Sequence, residues 1–422
     1  MKNTSIRIEP SCADDYDPNS LPVTEALRRI DSEITPISGI ERVAVRSALG
    51  RVLAEDVHSH IDVPAHTNSA MDGYAVAGVD LAESGSRELR VIGTAWAGRP
   101  FTGVVRPGEC VRIMTGAKMP SGADTVVMQE RAERVGDVIR IGSGNRPGQN
   151  VRQAGEDIAK GGIVLAAGKK LLPAELGLLA SLGFVEITVK RRLRMAFFST
   201  GDELRSAGEA LAEGDIYDSN RYTLHAMLTR LGVDVTDMGV VRDRREDLER
   251  ALKEAAQAAD AVITSGGVSV GEADFIKETL ASLGRVNFWK IAMKPGRPLA
   301  FGRIANAVFF GLPGNPVSVM VTFYEFVQPA LRRLMGQTDT RSPRIMVPCV
   351  SRLKKTPGRM EFQRGILETE SNGRLVVRST GEQGSGILSS MSKANCFIVL
   401  PMEAGAVEPE TLVAVELFEG LI

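Results

Sequence analysis

From Met195 onward, apolar runs of strand length alternate with amphipathic stretches of helix length, which restricts this part of the chain to a sheet layered with helices. Residues 195–200, 233–241 and 261–264 read as strands, and 222–231, 246–259 and 275–283 as helices. Within 246–259, Leu248, Ala251, Leu252, Ala255 and Ala259 recur at helical spacing, while Arg250, Lys253, Glu254 and Gln257 take the other side. That is the pattern of a helix laid on one face of a sheet. Strands that alternate with helices predict a mainly parallel sheet. Apolar segments at 286–292 and 307–312 extend it, and a long helix from 317 to about 334 should bend near Pro329.

Beyond Arg341, short β-rich runs at 345–350, 374–379, 396–400 and 411–417 are separated by Gly, Pro and Ser clusters with no convincing helix, as in a small barrel or sandwich. Before 190, helices near 23–34 and 173–182 flank a Gly- and β-rich interior from about 64 to 141. The expected fold class is therefore multidomain α+β and α/β. A leader at 1–20, expected to be disordered, precedes a discontinuous helical linking domain at 21–60 and 150–190. An inserted β-rich domain at 61–149, a central α/β domain at 191–341 and a C-terminal β-barrel domain at 342–422 complete it.

Charge and cysteine usage narrow the function. Lys and Arg total 51 against 52 Asp and Glu, so no general electrostatic case for nucleic-acid binding exists. The longest apolar-looking run, 317–327, is broken by Glu325 and falls short of the roughly 18 residues a membrane span needs. The N-terminal stretch carries Asp14, Asp15 and Asp17 and no apolar core, so it does not read as a signal peptide, and a cytoplasmic location is expected. Four scattered cysteines without CxxC spacing argue against a disulfide framework or structural zinc. The histidines show no HExxH spacing, and neither a GxSxG elbow nor a GxxxxGK[ST] loop is present.

The stretch AVITSGGVSVGEAD at 261–274 ends a strand in a Gly-rich turn before a helix. Gly266, Gly267 and Gly271 admit positive φ, so backbone N–H groups can converge on a phosphate; a tight structural turn is the alternative. Glu272 and Asp274 close the loop, and carboxylates beside a phosphate cradle place Mg2+. Helix capping explains them equally well: Asp274 by itself, and Asp243 with Glu246 as a capping box. Asp202 and Glu203 in STGDEL follow another strand, so three strand ends deliver acids to the edge where open α/β sheets bind ligands. In KIAMKPGRP, Lys290, Lys294 and Arg297 surround a Pro-Gly turn and suit an oxyanion, unless they are merely solvated. In LPGNPVS, Pro313 and Pro316 stiffen a loop whose following helix offers free N–H groups and the Ser318 hydroxyl; a Pro-initiated helix is the plain alternative.

Together with STGDEL and IYDSN, these motifs resemble the molybdopterin molybdenumtransferase family, the MoeA and gephyrin E-domain group. The resemblance extends upstream through SAMDGYAV (69–76), RIMTGAKMPSGADTVV (112–127) and GEDI (155–158), in the family's order, and covers the chain after the leader. It implies insertion of molybdate into adenylated molybdopterin with release of AMP, Mg2+ as the metal, and a four-part subunit. It also implies a homodimer whose cleft joins the α/β domain of one chain to the SAMDGYAV domain of its partner. Other molybdenum cofactor biosynthesis proteins would be further partners.

Carried over by motif, the resemblance places Asp72, Asp157, Glu203, Asp243 and Asp274 along the cleft, with Lys290 and Lys294 among the catalytic groups and Asp243 and Asp274 toward Mg2+. Gly266, Gly267, Ser269 and Gly271 would hold the phosphate end of the pterin. Lys294, Arg297, Pro298 and Ser318, with Pro313 and Pro316 nearby, would handle molybdate; Thr115 and Arg152 are also cleft positions. Arg364 and Ser385 resemble additional oxyanion contacts. Thr67 and Met360 depart from the family's pattern. Two other readings stand beside this one. A molybdopterin adenylyltransferase shares a related Gly-rich loop but would lack the flanking domains, and a scaffold of the gephyrin type would not depend on the acidic cluster.

Overall fold

The computed structural model describes residues 19–267 and 274–418. The leader up to residue 18, Ser269, Gly271 and Glu272 lie outside them. The helices expected near 23–34 and 173–182 are α1 (Val23–Glu33) and α2 (Pro173–Ser181). The chain divides into two units: Glu55–Ala167 with Pro173–Glu186 forms one, and the remaining described residues form the other.

In the first unit, the Gly-rich interior pairs into one six-stranded sheet. Its strands are β1 (Gly73–Val76), β2 (Ser86–Ala95), β3 (Glu109–Ile113), β4 (Thr125–Met128), β5 (Ala132–Val135) and β6 (Val138–Gly142), in the order β4-β1-β3-β2-β6-β5. Ala75, Val111, Ile113 and Val126 pack into one cluster, and Tyr74, Val76, Cys110 and Val127 into another. Alternation across the pleat thus feeds two buried faces, which is why the central strands read as nearly continuous apolar runs.

The second unit carries the strand–helix alternation. Its sheet consists of β7 (Arg194–Thr200), β8 (Asp234–Val241), β9 (Ala261–Ser265), β10 (Gly284–Lys290), β11 (Pro298–Ile304) and β12 (Ala307–Leu312), in the order β8-β7-β9-β12-β11-β10. The first four strands in that order run parallel, while β11 and β10 add antiparallel to the edge. Helix α3 (Ser219–Leu231) and the helix pair α4 (Arg245–Ala258) and α5 (Asp274–Leu283) flank the sheet. Met195 and Phe197 face a core shared with α1 and α3, and Ala196 and Phe198 face Leu248, Ala251, Leu252 and Ala255 of α4. The amphipathic stripe read from 246–259 therefore packs as its spacing implies.

The long C-terminal helix of this sheet domain is built as α6 (Pro316–Thr322), a π-turn (Phe323–Val327) and α7 (Gln328–Leu334). Pro329 has no N–H and would crowd the carbonyl four residues back, and the expected bend is absorbed as the wider turn just before it.

The C-terminal segment forms β13 (Arg344–Cys349), β14 (Met360–Thr369), β15 (Leu375–Ser379), α8 (Leu388–Lys393), β16 (Cys396–Leu400) and β17 (Thr411–Leu417). The pairings β14-β15-β13-β17-β16-β14 close it into a five-stranded barrel. Two expectations need correction here: β14 is a ten-residue strand where none was read, and α8 is a helix where none was expected. Val347, Cys349, Val377, Cys396, Ile398 and Val415 fill the interior, so Cys349 and Cys396 are buried thiols. Among the described residues, no helix is long and apolar enough to cross a membrane.

Candidate functional site

The strand ends of the second unit bring most of the predicted residues to one edge of the sheet. At the end of β9 the chain turns through Gly266 at φ +94° and Gly267 at φ +71°. A Cβ on Gly266 would stand 2.4 Å from the Thr200 carbonyl oxygen, so only glycine fits there. The Gly266 N–H donates to the Leu312 carbonyl at 3.1 Å, tying the ends of β9 and β12 together. Asp274 opens α5, but its side chain lies outside the described set.

Beside this turn, Thr200 Oγ1 donates to Asp243 Oδ1, and the Asp243 N–H reaches Asp202 Oδ1 at 3.4 Å. The Glu203 carboxylate folds back over Gly201, where an added Cβ would lie 2.7 Å from it. The capping-box alternative for Asp243 is incorrect: α4 starts at Arg245 after Arg244, which makes no side-chain cap, and the Asp243 carboxylate is engaged by Thr200 instead. Two carboxylates and a hydroxyl are hard oxygen donors of the kind Mg2+ accepts, and Mg2+ takes few protein ligands beside water and phosphate. Among the described residues, no three His, Cys, Asp or Glu side chains form a complete metal cage.

The basic segment is a turn between β10 and β11. Lys290 pairs with Pro298, and the Ile291 N–H donates to the Arg297 carbonyl at 2.7 Å. Met293 and Lys294 form a short strand parallel to Met360 and Glu361 of β14, so the turn also joins the barrel. Gly296 is pressed against α6, its Cβ position 2.6 Å from Thr322 Oγ1 and 3.5 Å from the Ser318 carbonyl. Lys294 and Arg297 are half-buried and Lys290 is exposed. Pro313 is buried behind the loop that leads into α6, Pro316 opens that helix, and Ser318 is buried in its first turn. The helix start is less free than the sequence suggests: the Val317 N–H donates to the Ser385 carbonyl at 3.1 Å.

Arg364 of β14 is 1% exposed. Its Nε donates to Ser390 Oγ at 3.0 Å and its Nη2 to the Gly384 carbonyl at 3.1 Å, next to Ser385. No carboxylate pairs with it among the described residues, and burial pushes its pKa down to about 10. A buried cation held only by neutral partners is costly unless an anion meets it.

In the first unit, Asp72 stands at the start of β1 and Thr115 just past β3. The Thr115 N–H and Oγ1 both donate to Asp72 Oδ1 at 2.7 Å, and these bonds hold the Asp72 carboxyl below its ordinary pKa. A side chain at Gly73 would collide with the Val127 carbonyl, which explains the glycine after Asp72. Arg152 lies opposite Asn68 on a two-residue strand pair and is exposed. Asp157 is exposed on the turn after Gly155, its N–H bound to the Val63 carbonyl, with no side-chain bond to Asp72 or Arg152.

Three residues at the sheet edge were not singled out from sequence: Thr200, Asn220 and Ser265. Asn220 Nδ2 donates to Ser265 Oγ at 2.9 Å and to the Gly314 carbonyl at 2.6 Å. Its place as the last residue of IYDSN is the one signal that marked it.

Residues 21–183 match the MoeA N-terminal region (domains I and II), 196–333 a probable molybdopterin binding domain, and 347–418 the MoeA C-terminal region (domain IV). A Haemophilus influenzae protein named molybdopterin molybdenumtransferase is 47% identical over 90% of this chain and 95% of its own length. A Dictyostelium discoideum gephyrin is 35% identical over 94% of this chain, which spans 62% of it. The crystal structure of a molybdopterin biosynthesis MoeA protein from Pyrococcus horikoshii superposes with a TM-score of 0.83 at 30% identity, covering 94% of this chain and all of that one.

Proposed function

Because the chain belongs to the molybdopterin molybdenumtransferase family, enzymes of molybdenum cofactor biosynthesis, we propose that it inserts molybdate into adenylated molybdopterin and releases AMP. The observation that carries this reading is Arg364, a buried cation with no carboxylate partner among the described residues, beside the Ser385 loop that touches α6. A small oxyanion is the complement such a group lacks.

In this reading, the Gly266–Gly267 turn, with Ser269 and Gly271, receives the phosphate of the adenylate. Lys294, Arg297 and Ser318, backed by Pro298, Pro313 and Pro316, hold molybdate together with Arg364 and Ser385. Charge-assisted hydrogen bonds from these donors are strong and directional, and they orient the oxyanion beside the dithiolene sulfurs that the substrate itself brings. Lys290 and Lys294 stabilise charge developing on the phosphate oxygens as AMP leaves. Asp243 and Asp274 would hold Mg2+, with Glu203 next to them; when bound, the ion neutralises phosphate charge. Asp72 with Thr115, Arg152 and Asp157 would complete the site in a cytoplasmic homodimer, each copy serving the other.

The test is incubation of purified protein with adenylated molybdopterin, Mg2+ and molybdate, following AMP. Molybdate-dependent release of AMP with formation of cofactor is expected. Pterin binding without AMP release, while an active family enzyme releases AMP in parallel, would defeat the reading; consumption of ATP to make adenylated pterin would replace it with the preceding reaction.

A further inference from the structure

Two loops carry the proposed chemistry, the Gly-rich turn after β9 and the LPGNP loop before α6. One side chain joins them. Asn220 sits in the first turn of α3 and spends both amide hydrogens across the gap, one on Ser265 Oγ at 2.9 Å and one on the Gly314 carbonyl at 2.6 Å. The Gly314 carbonyl can only accept, so it settles which end of the amide faces it. Asn220 Oδ1 is then left buried, with no hydrogen bond among the described residues.

The start of α3 does not depend on this amide. Asp218 Oδ1 caps the helix through the Arg221 N–H at 3.1 Å, and Arg221 Nε is held by both carboxylate oxygens of Asp237 at 2.7 and 2.8 Å. Asn220 is therefore carried on an anchored helix end, with its side chain committed to the loops. Beyond Gly314 the connection continues: the Val317 N–H meets the Ser385 carbonyl, and Gly384 meets Arg364.

We propose that Asn220 is a positioning residue that fixes the spacing between the adenylate-phosphate loop and the oxyanion loop, so that two substrates bound on different loops meet in register. This rests on the function proposed above. Two fragments that must react are sensitive to misplacement of about 1 Å, worth up to about 100-fold in rate, so alignment rather than affinity should carry the effect.

The informative variant is Asn220→Asp, nearly isosteric. The Ser265 hydroxyl can rotate to donate to the new carboxylate, whereas the Gly314 carbonyl then faces an acceptor and is repelled. An acid in the first turn suits the α3 dipole, so folding should be preserved; Asn220→Ala provides a second variant that removes both bonds. Two readouts are needed. Hydrogen exchange at the Gly266 amide, bonded to Leu312 across the same junction, should accelerate at least about 10-fold while amides in the middle of α3 keep their rates; this requires no substrate. In the AMP-release assay, kcat should fall about 10- to 100-fold, with KM for molybdate and pterin within about threefold and both variants still folded at the assay temperature.

Unchanged Gly266 exchange in both variants overturns the proposal whatever the activity. A loss confined to KM, or one that tracks the unfolding midpoint, also overturns it, since that is the signature of a ligand contact or of simple structural support. If wild-type protein shows no molybdate-dependent AMP release, the proposed function fails, and the exchange result alone still decides whether Asn220 clamps the loops.

Discussion

Replacing Arg364 with methionine separates a binding role from a structural one, because the two make opposite forecasts for stability. Burial holds this guanidinium down to about 10. That lies well below the ordinary guanidinium range, a depression that corresponds to roughly 3 kcal/mol the folded protein spends keeping the charge buried. Arg364→Met removes that cost and fills similar volume with an unbranched apolar chain. It leaves the Gly384 carbonyl without its donor, a loss of about 1–3 kcal/mol. Ser390 Oγ keeps its own bond to the Ile387 carbonyl at 2.7 Å. The net stability change should therefore be within about 2 kcal/mol of zero, and not strongly destabilising. An oxyanion, by contrast, loses a charge-assisted hydrogen bond worth about 1.5–3 kcal/mol, so KM for molybdate should rise roughly 10- to 150-fold. Chemical denaturation and the molybdate dependence of AMP release measure the two quantities. A variant destabilised by more than about 3 kcal/mol with molybdate dependence unchanged would refute the reasoning and make Arg364 a structural strut of the barrel.

Three further outcomes follow from individual contacts. Gly266→Ala places a Cβ 2.4 Å from the Thr200 carbonyl in a left-handed backbone; it should cost at least about 1–2 kcal/mol in urea unfolding and abolish AMP release, and a fully active, equally stable variant would show that the turn tolerates a side chain. Burial and the nearby Glu416 push the Glu325 carboxyl up to about 8, against the partial opposition of Arg344. The folded chain thus keeps a proton that the unfolded chain loses near pH 4.5, so stability should fall as pH rises from about 4.5 to 8; Glu325→Gln should flatten that slope in thermal unfolding, and an unaltered slope would assign it elsewhere. Thr115→Val removes one of the two donors to Asp72, so the Asp72 pKa should move up toward the ordinary carboxyl range while the backbone N–H still holds part of the depression; carboxyl titration by NMR would detect this, and no movement would mean the hydroxyl contributes nothing.

What was readable in the fold follows from where periodicity survives. Strands β7 and β9 and helix α4 lie in layers whose burial is set by apolar spacing alone, so the one-dimensional pattern contains them. Strand β14 does not: in MEFQRGILET, Glu361, Gln363 and Arg364 are all buried, each held by hydrogen-bond partners. Gln363 donates to Glu361 Oε2 at 2.9 Å and to the Lys354 carbonyl at 2.8 Å, a local network that turns a polar run into the interior wall of a barrel. Strand β11 was hidden for a different reason. It begins at Pro298 inside the KPGRP motif, so its apolar residues follow the basic turn directly, with no break in the sequence to mark the start of a strand. At six residues, α8 is too short for helical spacing to register.

The site divides along the same line between what a residue is and what it meets. Acids and cations placed after apolar strands mark a candidate ligand edge by their types and positions, as Asp202, Glu203, Asp243, Lys294 and Arg297 do. Thr200, Asn220 and Ser265 are neutral, and nothing in their types distinguishes them from surface polar residues until Asn220 is seen to bond partners 45 and 94 positions away. The Val317 N–H shows the converse: sequence offers it as free, and a carbonyl from a separate domain's loop takes it. Arg364 lies at the limit of both kinds of reading. With 51 cations against 52 acids, the chain's totals leave every Arg an available counter-charge; only burial, together with the neutral partners Ser390 and Gly384, shows that this one has none among the described residues. What would draw an anion to Arg364 is the charge missing from its surroundings, and composition averages that quantity away.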